Sequence, residues 1–449
     1  MAAQPLVHGP QPPADLLLRD VHVLDPRSGL DARHDVCVRG GAIAELAAPA
    51  TLEAEADQEL IDGGGRLRLL PALFDPHVHL RTPGQEHKED LQSGTRAAAA
   101  GGYAGVLAMP NTDPVLDSAP LLRSLRDAAA REACISIGFL PAITRGLQGE
   151  QLTEMAELRQ EGAVGFTDDG RPVQSAGMLR KALQYQRLCG GVLALHEEDR
   201  TLSRGGCMHE GVVSAALGLS GIPTLSESTM VARDAALAGY EDARVHFQHL
   251  SCADSVAAVA QAKARGYRVS AEVTPHHLLL TEQDVRGMDT RMKMHPPLAT
   301  EGDRLALVEG LRAGTIDCVA TDHAPHARDE KEVPFEQAPM GTTGSETAFA
   351  ALHTGLVLSG VLGLDLLIER MTAGAGLFDL PTALIAPGEP ANVMLADLDA
   401  VWVAGEHGWE SRSENCCFAG RTLTGRVLLT VAAGALAYRE RAFSMAGAQ

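Results

Sequence analysis

The sequence lacks any run of about 18 uninterrupted apolar residues, and its N-terminus has no basic stretch followed by an apolar segment. Neither a membrane span nor a signal peptide is therefore predicted, and we expect a cytoplasmic protein. Cys-x-x-Cys pairs are missing too. The eight cysteines are scattered along the 449 residues, which is typical of reduced thiols rather than of a disulfide framework.

Positive charge is scarce as well, because 58 acidic residues outnumber 38 basic residues and give a formal net charge of −20. Nucleic acid is not expected as a partner, since proteins bind phosphate backbones with a surplus of lysine and arginine. The sequence also has no G-x-S-x-G nucleophile motif, Walker-type phosphate loop or Rossmann fingerprint in a suitable structural context. We therefore expect an enzyme that acts on a small molecule through a site of a different kind from these three.

The composition changes three times along the chain. Residues 1–14 contain four prolines, which deny the backbone its ladder donors, and we predict a disordered lead-in. Residues 15–68 contain short β-type runs between Gly and Asp turn signals, and residues 387–449 return to that pattern. We predict that the two ends form one small β module, which flanks the central segment of residues 69–386.

The central segment alternates short apolar runs with helical stretches, as expected of βα units with a parallel sheet. The predicted strands are residues 70–74, 104–109, 135–140, 163–167, 192–196, 245–249, 269–273 and 318–321. Eight such strands in a segment of this length match a (β/α)₈ barrel. The predicted fold class is therefore α/β, a (β/α)₈ TIM-type barrel with a small flanking β module built from both chain ends.

The strongest local motif is the His-x-His of Asp75-Pro76-His77-Val78-His79, directly after the first predicted strand. Strand alternation places His77 and His79 on the same face. Two imidazoles at a strand end can ligate one Zn²⁺-like ion, which prefers histidine nitrogens and carboxylates. The motif alone is weak evidence, because surface strands produce it by chance.

Four further predicted strands also end in residues that can ligate a metal. They are His196, His249, Asp322 and the pair Asp168 and Asp169. In a barrel the strand ends converge on one face, so residues distant in sequence become neighbours. Such ligands without thiolate favour Zn²⁺, Mn²⁺, Co²⁺ or Fe²⁺ as a Lewis acid that activates water. The pattern therefore predicts a metal-dependent hydrolase.

Seven motifs occur in order over nearly the whole chain: DPHVHLRTPGQEHKED, MPNTDP, GFTDDG, ALHEED, HFQHLS, AEVTPHHLLLTE and ATDHAPH. With these motifs the sequence resembles bacterial dihydroorotase, and more specifically the class I branch of that family within the amidohydrolase superfamily. The resemblance implies the reversible interconversion of N-carbamoyl-L-aspartate and L-dihydroorotate, the ring-closing step of pyrimidine synthesis.

The resemblance also implies one or two zinc ions, of which two are favoured, and it assigns their ligands by motif position. The matching residues are His77, His79 and Asp322 for one zinc, His196 and His249 for the other, and Asp169 as the bridge between them. Related hydantoinases, and other dihydroorotases, use a carboxylated lysine as the bridge. An aspartate at this position favours the class I branch.

Four residues are implied to act on the substrate. Asp322 matches the catalytic acid and base, which accepts a proton during attack and gives it to the leaving ring nitrogen. Arg81 matches the residue that binds the free α-carboxylate, because a guanidinium can grip a carboxylate with two hydrogen bonds. Asn111 and His326 match the other carboxylate-binding positions.

This chain departs from the family pattern in the substrate region. It has Thr82 where Glu or Asp is common, and it has His295 and Ala299 where the family often has the Asn and Arg of NPPLR. We expect these changes to alter substrate binding without touching a metal ligand. Residues 327–344, charged and then rich in glycine, are a candidate mobile loop over the site.

Two other functions stay open. An allantoinase or a hydantoinase would carry similar histidines, but a neutral hydantoin has no α-carboxylate for Arg81 to hold. A barrel without activity could be a scaffold for aspartate transcarbamoylase, as degenerate members of the family are, but such copies lose ligands that are all present here. The expected assembly is a homo-oligomer acting on a small molecule, and a complex with aspartate transcarbamoylase is a further option.

Overall fold

The structure is a computed structural model that describes residues 4–441 and residue 443. Its strands are β1 (Leu16–Asp25), β2 (Leu30–Arg39), β3 (Ala42–Ala47), β4 (Glu59–Asp62), β5 (Arg68–Pro71), β6 (Leu73–Val78), β7 (Tyr103–Ala108), β8 (Ser136–Phe139), β9 (Phe166–Thr167), β10 (Leu193–Leu195), β11 (Met208–His209), β12 (Gly221–Ile222), β13 (Val245–Phe247), β14 (Val269–Val273), β15 (Cys318–Val319), β16 (Val393–Val403), β17 (Thr422–Ala432) and β18 (Ala435–Arg439).

Helices occupy much of the chain between the ring strands described below. The α-helices are α1 (Leu91–Ala100), α2 (Ala119–Glu132), α3 (Met155–Gln160), α4 (Ala176–Cys189), α5 (Arg200–Ser203), α6 (Val212–Leu217), α7 (Leu225–Glu241), α8 (Ala253–Ala264), α9 (Pro275–Leu279), α10 (Glu301–Ala313), α11 (Arg328–Lys331), α12 (Ala348–Leu352), α13 (Leu364–Thr372) and α14 (Gly374–Leu377). Short 3₁₀ turns cover Arg145–Leu147, Glu282–Gly287 and Thr290–Met292, and a π-helical turn covers His353–Val357.

Strands from both ends of the described chain form one sheet. Its order is β3-β2-β1-β5-β16-β17-β18, with β4 paired to the first half of β1. The two ends meet at β5, which runs parallel to β1 and antiparallel to β16. Val23, Val36 and Leu395 belong to a core that this sheet buries separately from the rest of the molecule. Residue 442 and residues 444–449, the end of the predicted module, lie outside the described part.

Eight parallel strands are joined edge to edge in a ring. One run contains β6, β7 and β8, and the other contains β9, β10, β13, β14 and β15. The runs meet on one side where the N–H of Val164 donates to Phe139 O at 2.9 Å. On the other side the N–H of His79 donates to His323 O at 2.9 Å. The α/β class predicted from the sequence is confirmed.

The ring begins later than predicted. Arg68–Pro71 is a strand of the flanking sheet, and Leu73–Val78 is the first strand of the ring. The predicted boundary at residue 69 is therefore wrong, because one apolar run serves two elements. Leu69 is buried in the core of the flanking sheet, whereas Leu70 is buried in the core of the ring. Each of the other predicted strands overlaps an observed strand.

Helices follow the ring strands and bury one face. In α4 the buried positions have the i, i+3, i+4, i+7 spacing of a single helix face: Leu179, Ala182, Leu183 and Gln186. Thr300 caps α10 by accepting the N–H of Asp303. The turn after α1 requires glycine at residue 101, since a Cβ there would lie 1.9 Å from Ser345 O. Within the described residues, no helix has both the length and the apolar character needed to cross a membrane.

Residues 4–14 are ordered, so the prediction of a disordered lead-in is wrong for this part. The N–H of Val7 donates to Ile137 O at 3.0 Å, and the N–H of Ile137 donates back to Val7 O at 2.7 Å. The prediction failed because the residues between the prolines keep their backbone N–H groups. These groups donate to backbone carbonyl oxygens in β8 and in the segment just before it. Residues 1–3, which belonged to the same prediction, lie outside the described residues.

Asp35 in β2 fastens the loop after β3 to the flanking sheet. Its buried carboxylate accepts four backbone N–H groups, each at 2.8 Å, from Asp20, Ala50, Thr51 and Leu52. Burial alone would raise the pKa of Asp35, but these hydrogen bonds outweigh burial and lower it.

We predict that Asp35→Asn lowers the free energy of unfolding by about 2 kcal/mol, because the amide leaves buried donors without an acceptor. Since the pKa of Asp35 is lower in the folded state, its stabilisation is present above the unfolded pKa and is lost as the pH falls through the folded pKa. Urea denaturation at several pH values measures both effects. The exposed Asp57→Asn is the control, and equal losses in the two variants would contradict the account.

Candidate metal centre

The strand ends of the ring bring the six predicted ligands together. They are His77 in β6, His79 directly after it, Asp169 after β9, His196 after β10, His249 after β13 and Asp322 after β15. Each of these residues is at most 6% exposed. All follow or end parallel strands, which is where a ring of this kind presents its loops to one face.

Asp322 lies against the two imidazoles of the His-x-His motif. Its Oδ1 is 2.9 Å from His79 Nε2 and 3.4 Å from His77 Nε2. The three side chains offer ligand atoms that all lie within 4.8 Å of one another. His77, His79 and Asp322 can therefore hold one metal ion.

Asp169 faces all four histidines of the cluster. Its Oδ1 is 3.3 Å from His196 Nδ1 and 3.6 Å from His249 Nε2. The same oxygen is 3.6 Å from His77 Nε2, and Oδ2 is 3.6 Å from His79 Nε2. Asp169 thus contacts both the His-x-His pair and the second pair of histidines, which is the position that a bridging ligand requires.

The buried charges of the cluster stabilise each other. Burial alone would raise the pKa of Asp169, but the charge of His77 and the close approach of the other imidazoles hold it well below its ordinary value. Burial would also raise the pKa of Asp322, and the charges of His77 and His79 lower it. Burial would lower the pKa of His77, but the charges of Glu272 and of both aspartates raise it well above its ordinary value. The site is therefore built to hold positive charge between its carboxylates.

The donor set fits a divalent metal ion. His196 Nδ1 and His249 Nε2 lie 2.9 Å apart and both face Asp169. Two neutral imidazoles with lone pairs aimed at one another repel unless they share a proton or bind a cation. Among the described residues, the buried His77 Nε2 has no hydrogen-bond partner. Imidazole nitrogens with carboxylate oxygens suit zinc and similar Lewis-acidic ions.

Asp168, the other carboxylate of the GFTDDG motif, points away from the histidines. Its Oδ1 accepts the N–H of Ile143 at 2.8 Å and the N–H of Thr144 at 2.9 Å. Burial raises the pKa of Asp168 to about 6, although these hydrogen bonds oppose it. The strand-end pattern left both aspartates open, and the structure separates them: Asp169 faces the cluster, and Asp168 holds the loop after β8.

Two buried carboxylates near the ligands were missed by sequence reasoning. Asp75 accepts the N–H of Thr321 at 3.0 Å and its hydroxyl at 2.5 Å, which joins the middle of β6 to the segment directly after β15. Glu272 in β14 accepts from His77 Nδ1 at 2.7 Å. A usable signal was present in Val269–Val273, because an acidic residue inside a buried strand needs a partner.

Three of the ten described non-glycine residues with a positive φ angle belong to the site. The φ angle is +57° at Arg81, +32° at His249 and +48° at Asp322. Residues other than glycine seldom adopt this left-handed region, and they persist there only where the surrounding structure holds them. The chain therefore maintains these three conformations at a cost, as is common at functional sites.

Arg81 and Asn111, two of the predicted substrate residues, lie beside the ligands. Arg81 Nε donates to Pro325 O at 3.0 Å, and burial lowers the pKa of Arg81 to about 10, so the guanidinium is charged at neutral pH. Asn111 Oδ1 accepts from His79 Nδ1 at 2.8 Å, and its Nδ2 donates to Asp169 Oδ2 at 3.3 Å. Asn111 therefore orients two predicted ligands, and its role toward the substrate stays a prediction.

His326, the third predicted substrate residue, directly precedes the candidate loop of residues 327–344. Its backbone N–H donates to Asn415 Oδ1 at 3.0 Å, and its Nε2 donates to Met340 O at 2.9 Å. Burial and the neighbouring cations lower the pKa of His326 to about 3, so the ring is neutral. Lys331 Nζ fastens the loop by donating to three backbone oxygens. Mobility of the loop stays a prediction.

His295, where the sequence departs from the family pattern, touches a predicted ligand. Its ring stacks on His196 with centroids 5.0 Å apart and planes inclined by 11°. Its Nε2 lies 3.2 Å from Glu198 Oε2. The expectation that the departures avoid the metal ligands is therefore wrong at this position, because the loop after α9 folds back over the end of β10.

Known proteins resemble the chain over nearly its full length. A family model described as Dihydro-orotase-like matches residues 65–255. A relative named Dihydroorotase from Pelotomaculum thermopropionicum is 43% identical over 427 residues, which cover 95% of this chain and 99% of the relative. The chain belongs to the dihydroorotase family. A second dihydroorotase, from Desulforapulum autotrophicum, is 42% identical over 422 residues, with 94% and 98% covered.

Solved structures show the same fold as this member of the dihydroorotase family. The L-hydantoinase (dihydropyrimidinase) from Arthrobacter aurescens has a TM-score of 0.84 and 25% identity, covering 94% of this chain and 96% of that one. A dihydropyrimidinase from Brevibacillus agri has a TM-score of 0.81 and 22% identity, with 95% of each chain covered. The fold is thus shared beyond proteins named dihydroorotase.

We predict that Zn²⁺ raises the melting temperature of the metal-free protein, because an ion that binds only the folded chain stabilises it. His249→Asn should weaken this response by about tenfold or more in zinc concentration, since the cluster loses an imidazole. Thermal denaturation across a zinc titration measures the effect. His353→Asn removes another buried histidine, bonded to Thr424 O, and should keep the full response. Equal responses in both variants would contradict the assignment.

Proposed function

We propose that this chain is a zinc-dependent dihydroorotase, which interconverts N-carbamoyl-L-aspartate and L-dihydroorotate in pyrimidine biosynthesis. The observation that carries the proposal is the buried cluster of four imidazoles around Asp169 and Asp322, with the charged Arg81 beside it. Relatives named Dihydroorotase, at 43% and 42% identity over nearly the whole chain, support the same reaction.

The catalytic unit in this proposal is a (β/α)₈ barrel of the TIM type. It comprises the ring strands and the helices that follow them, from Leu73 to residue 386. The flanking β module comprises residues 15–71 together with residues 387–441. In such barrels the active site lies at the carboxyl ends of the strands, and the six predicted ligands lie there.

Two zinc ions are favoured over one in this proposal. The ligands would be His77, His79 and Asp322 for one ion, His196 and His249 for the other, and Asp169 for both. Bound zinc would supply a Lewis acid that polarises the ring amide and activates water. The contacts of Asp169 with both histidine pairs support the two-ion arrangement.

Asp322 is the proposed acid and base. During ring opening its carboxylate accepts a proton from the attacking water and donates it to the leaving ring nitrogen. During ring closure the same carboxylate removes a proton from the attacking nitrogen and passes it to the carboxyl oxygen whose bond to carbon breaks, so that water is released. His79 Nε2, at 2.9 Å, and the charge of His77 lower the pKa of Asp322, so the group is ionised again after each transfer.

Arg81 is the proposed partner of the α-carboxylate that both substrates carry. One of its nitrogens is bonded to Pro325 O, and the guanidinium has two further nitrogens that can bind a carboxylate as a pair. Its pKa of about 10 keeps it charged at neutral pH. Asn111 and His326 complete the proposed carboxylate-binding set, and the contact of His326 with Met340 would place the loop over the bound substrate.

The test is the rate of N-carbamoyl-L-aspartate formation from L-dihydroorotate, with metal content measured on the same sample. Asp322→Asn should lower kcat by about 100- to 10,000-fold, because the amide can neither accept nor return the proton. Asp25→Asn is the matched control, since that buried carboxylate lies in β1 of the flanking sheet and accepts the N–H of Ile385, and it should keep most of the activity. A fully active Asp322→Asn would disprove the assigned role.

Hydantoin separates the proposed reaction from the one named for the similar solved structures. A neutral hydantoin offers no carboxylate to Arg81, so we expect turnover of dihydroorotate and none of hydantoin. The opposite result would make the chain a hydantoinase. A folded protein that takes up no metal and turns over neither compound would favour the scaffold role instead.

Location and assembly complete the proposal. We propose that the protein is cytoplasmic, in keeping with its acidic composition and its scattered cysteines. We also propose that it is a homo-oligomer that acts on a small molecule. A complex with aspartate transcarbamoylase rests on the family resemblance alone.

A further inference from the structure

A row of buried polar side chains runs through the ring next to the metal centre. His77 Nδ1 lies 2.7 Å from Glu272 Oε1, and Glu272 Oε2 lies 3.0 Å from His246 Nε2. His246 Nδ1 in turn lies 2.8 Å from the hydroxyl of Ser270. His77, Glu272 and His246 are each 0% exposed. Because such rings are usually filled by branched apolar side chains, a polar row inside one calls for a physical reason.

The Glu272 carboxylate decides which imidazole nitrogens carry protons. An ionised carboxylate only accepts hydrogen bonds, so the two nitrogens that face it must donate. Gln248 Nε2, which is 3.2 Å from His77 Nδ1, is a donor as well and cannot replace the shorter bond to a charged acceptor. When Nε2 of His77 ligates a metal ion, the proton that remains on the ring is therefore the one on Nδ1, which Glu272 accepts.

Glu272 also contacts the second pair of predicted ligands. The backbone N–H of His249 donates to Glu272 Oε1 at 3.2 Å, and His249 is held at a φ of +32°. His249 follows β13, which also contains His246. One carboxylate in β14 thus orients the side chain of a ligand from β6 and the backbone of a ligand from β13.

We propose that Glu272 is a positioning residue of the metal centre and that His246 supports it. Glu272 selects the tautomer of His77 whose Nε2 can ligate a metal, and His246 keeps the carboxylate turned toward His77. These two residues control metal affinity rather than substrate contact. The inference rests on the proposed function for the role of His77 as a ligand, and it adds two residues that the motif comparison leaves without a role.

A separate metal site is the competing explanation for the same residues. His246, Glu272 and Cys318 offer ligand atoms within 4.8 Å of one another. Against such a site, both nitrogens of His246 and both oxygens of Glu272 already have hydrogen-bond partners. Burial also raises the pKa of Cys318 well above its ordinary value, which disfavours the thiolate that a metal would need.

The test is Co²⁺ binding to the metal-free protein in the absence of substrate, measured by chelator competition and by the visible spectrum of the bound ion. Glu272→Gln should weaken binding by about 10- to 100-fold, because its amide N–H₂ faces an imidazole donor and disturbs the tautomer. The visible spectrum should change in parallel. Glu272→Asp keeps the charge and should recover part of the affinity.

Two further variants make the result decisive. His246→Gln should also weaken Co²⁺ binding, but by less than Glu272→Gln. Asp25→Asn removes a fully buried carboxylate that accepts the N–H of Ile385, and it should leave Co²⁺ affinity unchanged.

Unchanged affinity and spectrum in folded Glu272→Gln would overturn the proposal. If circular dichroism shows that this variant does not fold, His246→Gln decides by the same two readouts. Loss of one Co²⁺ per chain in Cys318→Ser would establish the separate metal site and overturn the positioning role. Because no substrate is present, these outcomes are independent of whether the protein turns over dihydroorotate.

Discussion

Electrostatic balance between two buried carboxylates and four imidazoles is the constraint on which the site depends. Asp169 and Asp322 are almost fully removed from water, and an unpaired buried charge is costly. The histidines that compensate this charge come from the ends of three strands, β6, β10 and β13, so the balance exists only while these strands lie side by side in the ring. His77 links this cluster to a third carboxylate, because it lies near both aspartates and is bonded to Glu272 on its other side.

The surrounding structure serves to keep this cluster in place. Asp75 joins the strand that carries His77 to the segment before Asp322, and Asp168 holds the loop beside Asp169. His249 and Asp322 keep left-handed backbone conformations that such residues seldom adopt, and these conformations place their side chains in the cluster. The flanking sheet lies outside this arrangement and keeps its own apolar core, which explains why it can be built from both ends of the chain.

Sequence reasoning was sufficient where the signal is local. A strand end and a ligand-type residue can both be recognised within a few positions, so the cluster was anticipated and the structure brings its members together. The position of Glu272 inside a buried strand indicates that it needs a partner, but the partner His77 is 195 residues away and no local pattern identifies it. The predicted start of the ring was wrong because the apolar run that contains Leu69 and Leu70 does not show which residues pack in the core of the flanking sheet and which in the core of the ring. The contact of His295 with His196 likewise depends on how a long loop folds back.

The central claim is that one carboxylate, Asp169, holds two metal ions between the two histidine pairs. Anomalous X-ray diffraction at the zinc edge, from crystals of the zinc-loaded protein, tests it most directly. The account predicts two peaks per chain, both within about 2.2 Å of an Asp169 oxygen, one beside the His-x-His pair and one beside His196 and His249. A single peak with Asp169 unbound, or two peaks that do not share this residue, would contradict it.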